Sequence, residues 1–272
     1  MAEQLTIMAV HAHPDDEVIS TGGLFARYAA EGIRTVLVTC TNGEQGDGPG
    51  GIKPGQPGHD PDAVRALRLA ELRESAAILG IEHVELLGYR DSGMDGWDGN
   101  QDPEAFWNTP VVQAAARLDE LMRHYRPQVV VTYDENGNYG HPDHIQANRI
   151  ALAAAESSGI PEKLYYTAIP RESAREMFEA FKASGQDMGD FEPPEDFGTP
   201  MDQITAVVDV APYVRRKVKA LEAHGSQGDS MPFLRLPEDI QQLVFASESF
   251  VRHLNRVDAA PALESDLFAG LR

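Results

Sequence analysis

Short apolar runs separated by helical repeats constrain this chain more than any other feature. Leu5 to Val10 (LTIMAV) is short, apolar and bounded by polar residues, the pattern of a fully buried strand. Thr21 to Ala30 then carries Leu24, Phe25, Tyr28 and Ala29 at helical spacing, and Gly32 stops the helix. Ile33 to Thr39 (IRTVLVT) is a second buried strand. Strand, helix and strand in that order predict parallel pairing through a right-handed crossover.

The alternation continues. Pro61 to Leu79 predicts a helix, His83 to Leu87 a strand, Thr109 to His124 a helix, Gln128 to Tyr133 a buried strand and Ile145 to Ser157 a helix. Beyond it, Lys163 to Ala168 predicts a strand, Arg171 to Ser184 a helix, Ile204 to Val210 an antiparallel edge strand and Pro212 to His224 a helix. Ile240 to Phe245 and Ser247 to Leu254 are expected to be short elements covering one rim. The fold class is therefore α/β, a mostly parallel sheet flanked by helices with a smaller C-terminal α/β portion over one rim. We expect one domain over residues 1–272, with the core in 1–160 and the C-terminal portion in 161–272.

Three stretches break the alternation: Thr41 to Asp60, rich in Gly and Pro, Asp91 to Asn108 with Trp97 and Trp107, and the acidic Gln186 to Pro200. The first reads as an active-site loop rather than a linker, because regular structure resumes at Pro61. In a doubly wound sheet, ligands bind at the carboxyl ends of strands where the strand order reverses. The first and fourth expected strands meet at that place.

Those two strands are the ones followed by chemistry. His13-Pro14-Asp15-Asp16-Glu17 follows the first, and Tyr139-Gly140-His141-Pro142-Asp143-His144 follows the fourth. Pro14 biases His13 towards extended backbone, so its imidazole projects from the strand end. In a non-helical turn the adjacent Asp15 and Asp16 point apart, so one can bind a metal while the other faces a water. His141 and His144 are three apart at a helix start and can share a side. His144 with His13 and Asp16 makes a His₂Asp zinc site with open positions, a set that iron(II) also suits. Asp143 can hold His141 by a hydrogen bond, and His141⁺ or Tyr139 would then stabilise an oxyanion. Paired Asp residues alone more often cap a helix; both motifs at strand ends favour the metal.

Composition narrows the partners. The 272 residues carry a net charge of −20, a field that repels phosphate backbones and anionic lipid, so neither nucleic acid nor membrane is expected. Cys40 is the single cysteine, which excludes internal disulfides and a thiolate-rich zinc site; it reads as a small buried hydrophobe. No leader or membrane segment is recognised, and a cytoplasmic location is expected. The long loops and exposed rim would suit a homo-oligomer. His11 is expected in the core or behind the ligands, His59 in solvent, and His224 at a helix end where its cation suits the dipole. The acidic excess reads as a solvated surface.

These residues resemble the PIG-L/LmbE family of zinc-dependent N-deacetylases. AHPDDE (Ala12 to Glu17) is similar to its first signature and HPDH (His141 to His144) to its second. The stretches VTCTNGEQG, RLAEL, RDSGM and TYDENGNYGHPDH follow the family's order over at least Leu5 to Ser157. The resemblance implies a Rossmann-like fold, zinc held by His13, Asp16 and His144, and Asp15 as general base. It further implies a protonated His141 oriented by Asp143, Tyr139 assisting the oxyanion and leaving amine, and Arg68, Asp91 and Asp47 contacting a sugar substrate.

Within the family the chain is similar to the mycothiol branch, whose members deacetylate GlcNAc-inositol or cleave mycothiol S-conjugates. Ser20 stands where the amidase side has a lysine, while TYDENG leans towards the amidase and the central loops follow neither. The implied reaction is hydrolysis of an N-acetyl or N-acyl amide on a small glucosamine-containing molecule. Its rivals are an S-conjugate amidase and a pathway-specific deacetylase of another acyl-amino sugar. A non-catalytic sugar-binding module would need neither a base nor an acid, so Asp15 and His141 argue against it.

Overall fold

A computed structural model describes residues 4–183, 197–228, 231–258 and 261–272. Among them, seven strands form one sheet in the order β3-β2-β1-β4-β5-β7-β6. The first five are β1 (Thr6–His11), β2 (Arg34–Thr41), β3 (His83–Tyr89), β4 (Val129–Thr132) and β5 (Lys163–Ala168), parallel to one another. β6 (Ala206–Asp209) and β7 (Ser247–Asn255) extend the sheet antiparallel. β1 lies between β2 and β4, as the doubly wound pattern requires.

Period-two alternation divides the core into two layers. Ile7 and Ala9 of β1, with Val129 and Val131 of β4, face a layer that contains Leu24, Phe25 and Leu221. Those side chains belong to the helices α1 (Asp16–Ala30) and, further on, α7 (Val214–Ala223), and Leu72 and Leu79 of α2 (Pro61–Leu79) join the same layer. Met8, Val10 and Val130 point the other way, to Leu118, Met122, Ile150 and Ala154. That layer is built by α3 (Val111–Tyr125) and by α5 (Pro142–Ser158), which follows the single turn α4 (Gly137–Gly140). The remaining helices are α6 (Arg171–Ala183), α8 (Met231–Leu234) and α9 (Glu238–Val244).

Boundaries agree with expectation where local chemistry punctuates the chain. Asp60 caps α2 by accepting from the backbone N–H groups of Asp62 and Ala63, Pro61 sits in its first turn, and Gly80 closes it in the left-handed region at φ 78. α1 and α5 begin earlier than their apolar spacing suggests, at Asp16 and Pro142, because their first turns are made of the polar motif residues. Ser247–Asn255 is not a rim element: it pairs with β5 on one side and β6 on the other. The rim is covered instead by the segments around Phe197, Gln227 and Phe233. Residues 184 and 186–196, the expected end of α6 and most of the acidic loop, lie outside the described residues.

The acidic excess is only partly a solvated surface. Glu264 is buried and pairs with Lys163 of β5, and Glu248 of β7 pairs with Lys217 of α7 and accepts from the backbone N–H groups of Gly23 and Leu24. Each pair ties C-terminal residues to the parallel core. Among the described residues no helix is long and apolar enough to cross a membrane. Lys163→Ala leaves the Glu264 carboxylate buried without its ammonium partner and should destabilise the fold by about 3–5 kcal/mol, read as a lower urea midpoint at unchanged m-value. An unshifted midpoint would show that Arg252, 3.1 Å from the same carboxylate, suffices alone.

Candidate active site

β1 and β4 pair in parallel through Ile7↔Val129, Met8↔Val130 and Ala9↔Val131, so the segments that follow them leave the sheet side by side. A cavity of about 1350 Å³ opens there, and His13, Asp15, Asp16, Tyr139, His141 and His144 all line it. The two motifs form one site.

His13 is its centre. Its Nδ1 is 3.3 Å from Asp16 Oδ2, while Nε2 lies 3.3 Å from Asp143 Oδ2 and 3.6 Å from Asp91 Oδ1. Burial works to lower the imidazole's pKa, but the Asp91, Asp143 and Asp16 carboxylates overcome it and hold His13 well above its ordinary value. Burial likewise works to raise Asp16, and the His144 and His13 imidazoles hold it well below the usual carboxylate range.

His144 completes the group. Its Nδ1 faces the Gly137 carbonyl at 3.2 Å, so Nδ1 carries the proton and Nε2 presents its lone pair. Nε2 is buried, 3.5 Å from Asp16 Oδ2, and has no hydrogen-bond partner. Gly137, at φ 62, is required here: a Cβ would lie 2.6 Å from that of His144.

A divalent cation fits these atoms. Two ligands about 2.0–2.2 Å from a tetrahedral ion are themselves about 3.3–3.6 Å apart, close to the 3.3 and 3.5 Å that separate Asp16 Oδ2 from His13 Nδ1 and His144 Nε2. Ligating atoms of His13, His141 and His144 lie within 4.8 Å of one another. An unpartnered buried imidazole nitrogen beside a carboxylate is the signature of a ligand, since buried polar atoms are otherwise paired.

Two residues that the motifs do not contain support the cluster. Tyr133, just past β4, donates from its hydroxyl to Asp16 Oδ2 at 2.8 Å, accepts from the Ala12 N–H at 2.8 Å, and stacks on His144 with ring centroids 4.0 Å apart. Ser92 donates to Asp143 from both its hydroxyl and its backbone N–H. The stretches TYDENG and RDSGM contain them, but neither signals a hydrogen bond to a residue so distant in sequence.

Asp15 occupies the N-cap position of α1 without capping it, at φ 126 and ψ −28. A non-glycine residue there carries strain of about 1–3 kcal/mol, typical of functional positions. Its carboxylate accepts from Arg68 Nη2 at 2.9 Å. Burial and the neighbouring Asp16 raise the Asp15 carboxyl to about 6, against the opposing charge of Arg68.

The structure revises several expectations. Asp143 does not hold His141 with its carboxylate, which is engaged by His13 and Ser92; its backbone N–H donates instead to His141 Nδ1 at 3.1 Å. That contact makes Nδ1 the acceptor and leaves the proton to Nε2. Burial and the adjacent His13 and His144 push the His141 imidazole down to about 2, in keeping with a ring that accepts at Nδ1. Arg68 lines the cavity but is only 4% exposed, and it also donates to the Gly43 and Pro14 carbonyls beneath Asp15. Asp91 turns to His13 and accepts from the Gly93 N–H. Asp47 stands at the rim, where it accepts from Lys53 Nζ at 2.7 Å and the Gly228 N–H at 3.1 Å. Tyr139 is half exposed at the mouth.

The other histidines sort differently. His11 is buried between Thr21 and Tyr133, and burial lowers it to about 4. His59 is half-buried, its Nε2 on the Gly46 carbonyl at 2.9 Å, and not solvated as expected. His224 does end α7, at its C-cap, but it is fully buried against Glu17. Cys40 is buried and free.

The PIG-L family, described as GlcNAc-PI de-N-acetylase, matches residues 8–155, a span that contains both motifs. The chain belongs to the PIG-L family. A relative from Acidothermus cellulolyticus named 1D-myo-inositol 2-acetamido-2-deoxy-alpha-D-glucopyranoside deacetylase is 42% identical over 98% of this chain and 95% of its own length. Among solved structures, N,N'-diacetylchitobiose deacetylase from Pyrococcus horikoshii superposes with a TM-score of 0.60 at 20% identity, covering 91% of this chain and 83% of its own. GalB, a 4-carboxy-2-hydroxymuconate hydratase from Pseudomonas putida, has a TM-score of 0.59 at 19% identity over 93% and 98%. A deacetylase and a hydratase thus share this PIG-L fold, and the reaction has to be argued from side chains.

Metal-free protein should take up one equivalent of Zn(II), seen as calorimetric binding and a higher Tm. His144→Ala should abolish that uptake, and Tyr133→Phe should weaken it about 10–100-fold through loss of its hydrogen bond to Asp16. Unaltered uptake in His144→Ala would locate the ion elsewhere.

Proposed function

We propose that this chain hydrolyses the N-acetyl amide of a small glucosamine-containing substrate, with GlcNAc-inositol the leading candidate, using zinc held by His13, Asp16 and His144. The observation that carries this reading is the position of Asp15. Its carboxylate, bonded to Arg68, lines the same cavity as His144, whose Nε2 has no hydrogen-bond partner. The name of the Acidothermus relative, identical at 42% of positions over nearly the full length, supports the substrate.

Zinc in this cluster would supply Lewis acidity, making water nucleophilic at neutral pH and polarising the amide carbonyl; iron(II) fits the same donor set. Asp15 takes one proton from the attacking water as oxygen bonds to the carbonyl carbon. Burial and the neighbouring Asp16 raise the Asp15 carboxyl in the metal-free protein, the direction that makes a carboxylate a better proton acceptor. His141, whose Nδ1 is occupied by the Asp143 N–H, donates from Nε2 to the developing oxyanion. Tyr139 at the cavity mouth supplies a second donor from its hydroxyl. When the C–N bond breaks, the proton held on Asp15 passes to the departing amine, leaving a free amino sugar and acetic acid, which retains the water's second proton and ionises on release. Asp143 and Asp91 act through His13 by fixing its ring, and Arg68 holds Asp15 against the cavity wall.

A second reading has one observation behind it. At about 1350 Å³ the cavity exceeds the roughly 300–1,000 Å³ usual for small-molecule sites, and Ile19, Trp97, Ile169 and Phe233 add apolar wall. A substrate with a bulkier aglycone, an S-conjugate or another acyl-amino sugar, would use that space.

Zinc-loaded protein should release primary amine from GlcNAc-inositol. Asp15→Ala should keep its zinc and lose about 10²–10⁴-fold in kcat. A wild-type kcat in that variant would remove Asp15 from the base role. Release only from S-conjugates would select the second reading.

A further inference from the structure

Behind Asp15, on the side away from the cavity, lie three fully buried polar side chains that the reaction does not touch. The Asp15 backbone N–H donates to Glu17 Oε2 at 2.9 Å. The other Glu17 oxygen, Oε1, accepts from Ser75 Oγ of α2 at 2.6 Å and lies 2.7 Å from His224 Nε2, just past α7. Glu17, Ser75 and His224 are each 0% exposed. Glu17 therefore meets the active site through one hydrogen bond, and that bond is to the backbone of Asp15.

The alternative open to Asp15 is specific. An Asp just before a helix ordinarily takes extended backbone and turns its carboxylate onto the second or third helical N–H. Here Asp15 precedes α1, yet its side chain makes no capping bond and its φ is 126. The capping conformation would swing the carboxylate off Arg68 and away from the cavity wall. Something must hold Asp15 out of it. The Glu17 carboxylate takes the Asp15 N–H directly, and Ser75 and His224, from two different helical elements, prevent Glu17 from turning.

We infer that Glu17, clamped by Ser75 and His224, is the positioning residue that keeps Asp15 in the strained backbone conformation its proton-accepting role requires. The inference rests on the reading of Asp15 as base. It also gives the C-terminal portion a part in the chemistry, because His224 lies outside the parallel core that carries both motifs. The same segment continues to Ser226, bonded to Glu71 of α2, and to Gln227 and Gly228, bonded to Asp47. The segment that fastens the substrate loop thus also braces the base.

The test is a mutant cycle on zinc-loaded protein with GlcNAc-inositol, reading kcat, KM and zinc content separately. Glu17→Ala should lower kcat on the order of 10–100-fold, the scale of a misplaced reacting group, at unchanged KM and stoichiometric zinc. Glu17→Gln, which keeps an oxygen for the Asp15 N–H, should retain most of the rate. In an Asp15→Ala background Glu17→Ala should cost nothing further, because the group it positions is gone. Equal losses in both backgrounds, a loss traced to zinc, or an unchanged kcat would each overturn the inference. If Glu17→Ala does not fold, Ser75→Ala and His224→Gln loosen the same carboxylate without touching Asp15. They should show the same kcat loss at smaller amplitude, again absent on Asp15→Ala. A wild-type rate in Asp15→Ala alone would instead defeat the base reading, a separate result from any of these.

Discussion

The parallel pairing of β1 with β4 is the contact on which the rest depends. It brings His13 within 3.3 Å of Asp143 although 130 positions separate them. Register is held by burial on both faces: Ile7, Ala9, Val129 and Val131 face one layer of helices, and Met8, Val10 and Val130 face the other. A slip of one residue would exchange those faces and present each layer with side chains cut for its opposite. The apolar core thus sets the ångström-scale geometry of a polar site, and the sheet's strand order decides which two loops meet.

Electrostatics separates the structural ion pairs from the site. Glu17, Glu248 and Glu264 are buried with one principal basic partner each, His224, Lys217 and Lys163. Around His13 the balance differs: Asp16, Asp91 and Asp143 all face one imidazole. Gathering three carboxylates around one imidazole is costly unless positive charge accumulates with them. Metal-free protein meets that demand by raising the affinity of His13 for a proton. A dication on the His13, Asp16 and His144 ligands would meet it more fully, which is why the donor set suits a metal better than a structural network.

How much of this was legible follows from the range of each signal. α2 matched its expected limits of Pro61 and Leu79 because capping residues lie within a few positions of each end. α1 and α5 were expected too short because the polar motif residues occupy their first turns and interrupt the apolar period. β7 was misplaced to the rim because it lies at the end of the chain, far in sequence from its partner β5, and local pattern says nothing of pairing at that distance. In the site, His13, Asp15 and Asp16 of one motif and Tyr139, His141 and His144 of the other were found together in the cavity. Tyr133 and Ser92 were missed since each acts through a hydrogen bond to the opposite motif. The orienting role expected of the Asp143 carboxylate at His141 went elsewhere, as Ser92 and His13 compete for it.

By itself the sequence determined the α/β class, the two strand ends that bear the chemistry, and the imidazoles and carboxylates present there, because periodicity and motif spacing are local properties. Tertiary structure decided which nitrogen of each histidine is free, which carboxylate serves which ring, and that Asp15 is held strained by Glu17 rather than capping α1. Those outcomes depend on the Gly137 carbonyl, Ser92, Ser75 and His224, side chains and backbone groups that the sheet and its helices bring in from remote parts of the chain. Protonation and ring orientation are set by the nearest partner in space, and only the folded chain chooses that partner.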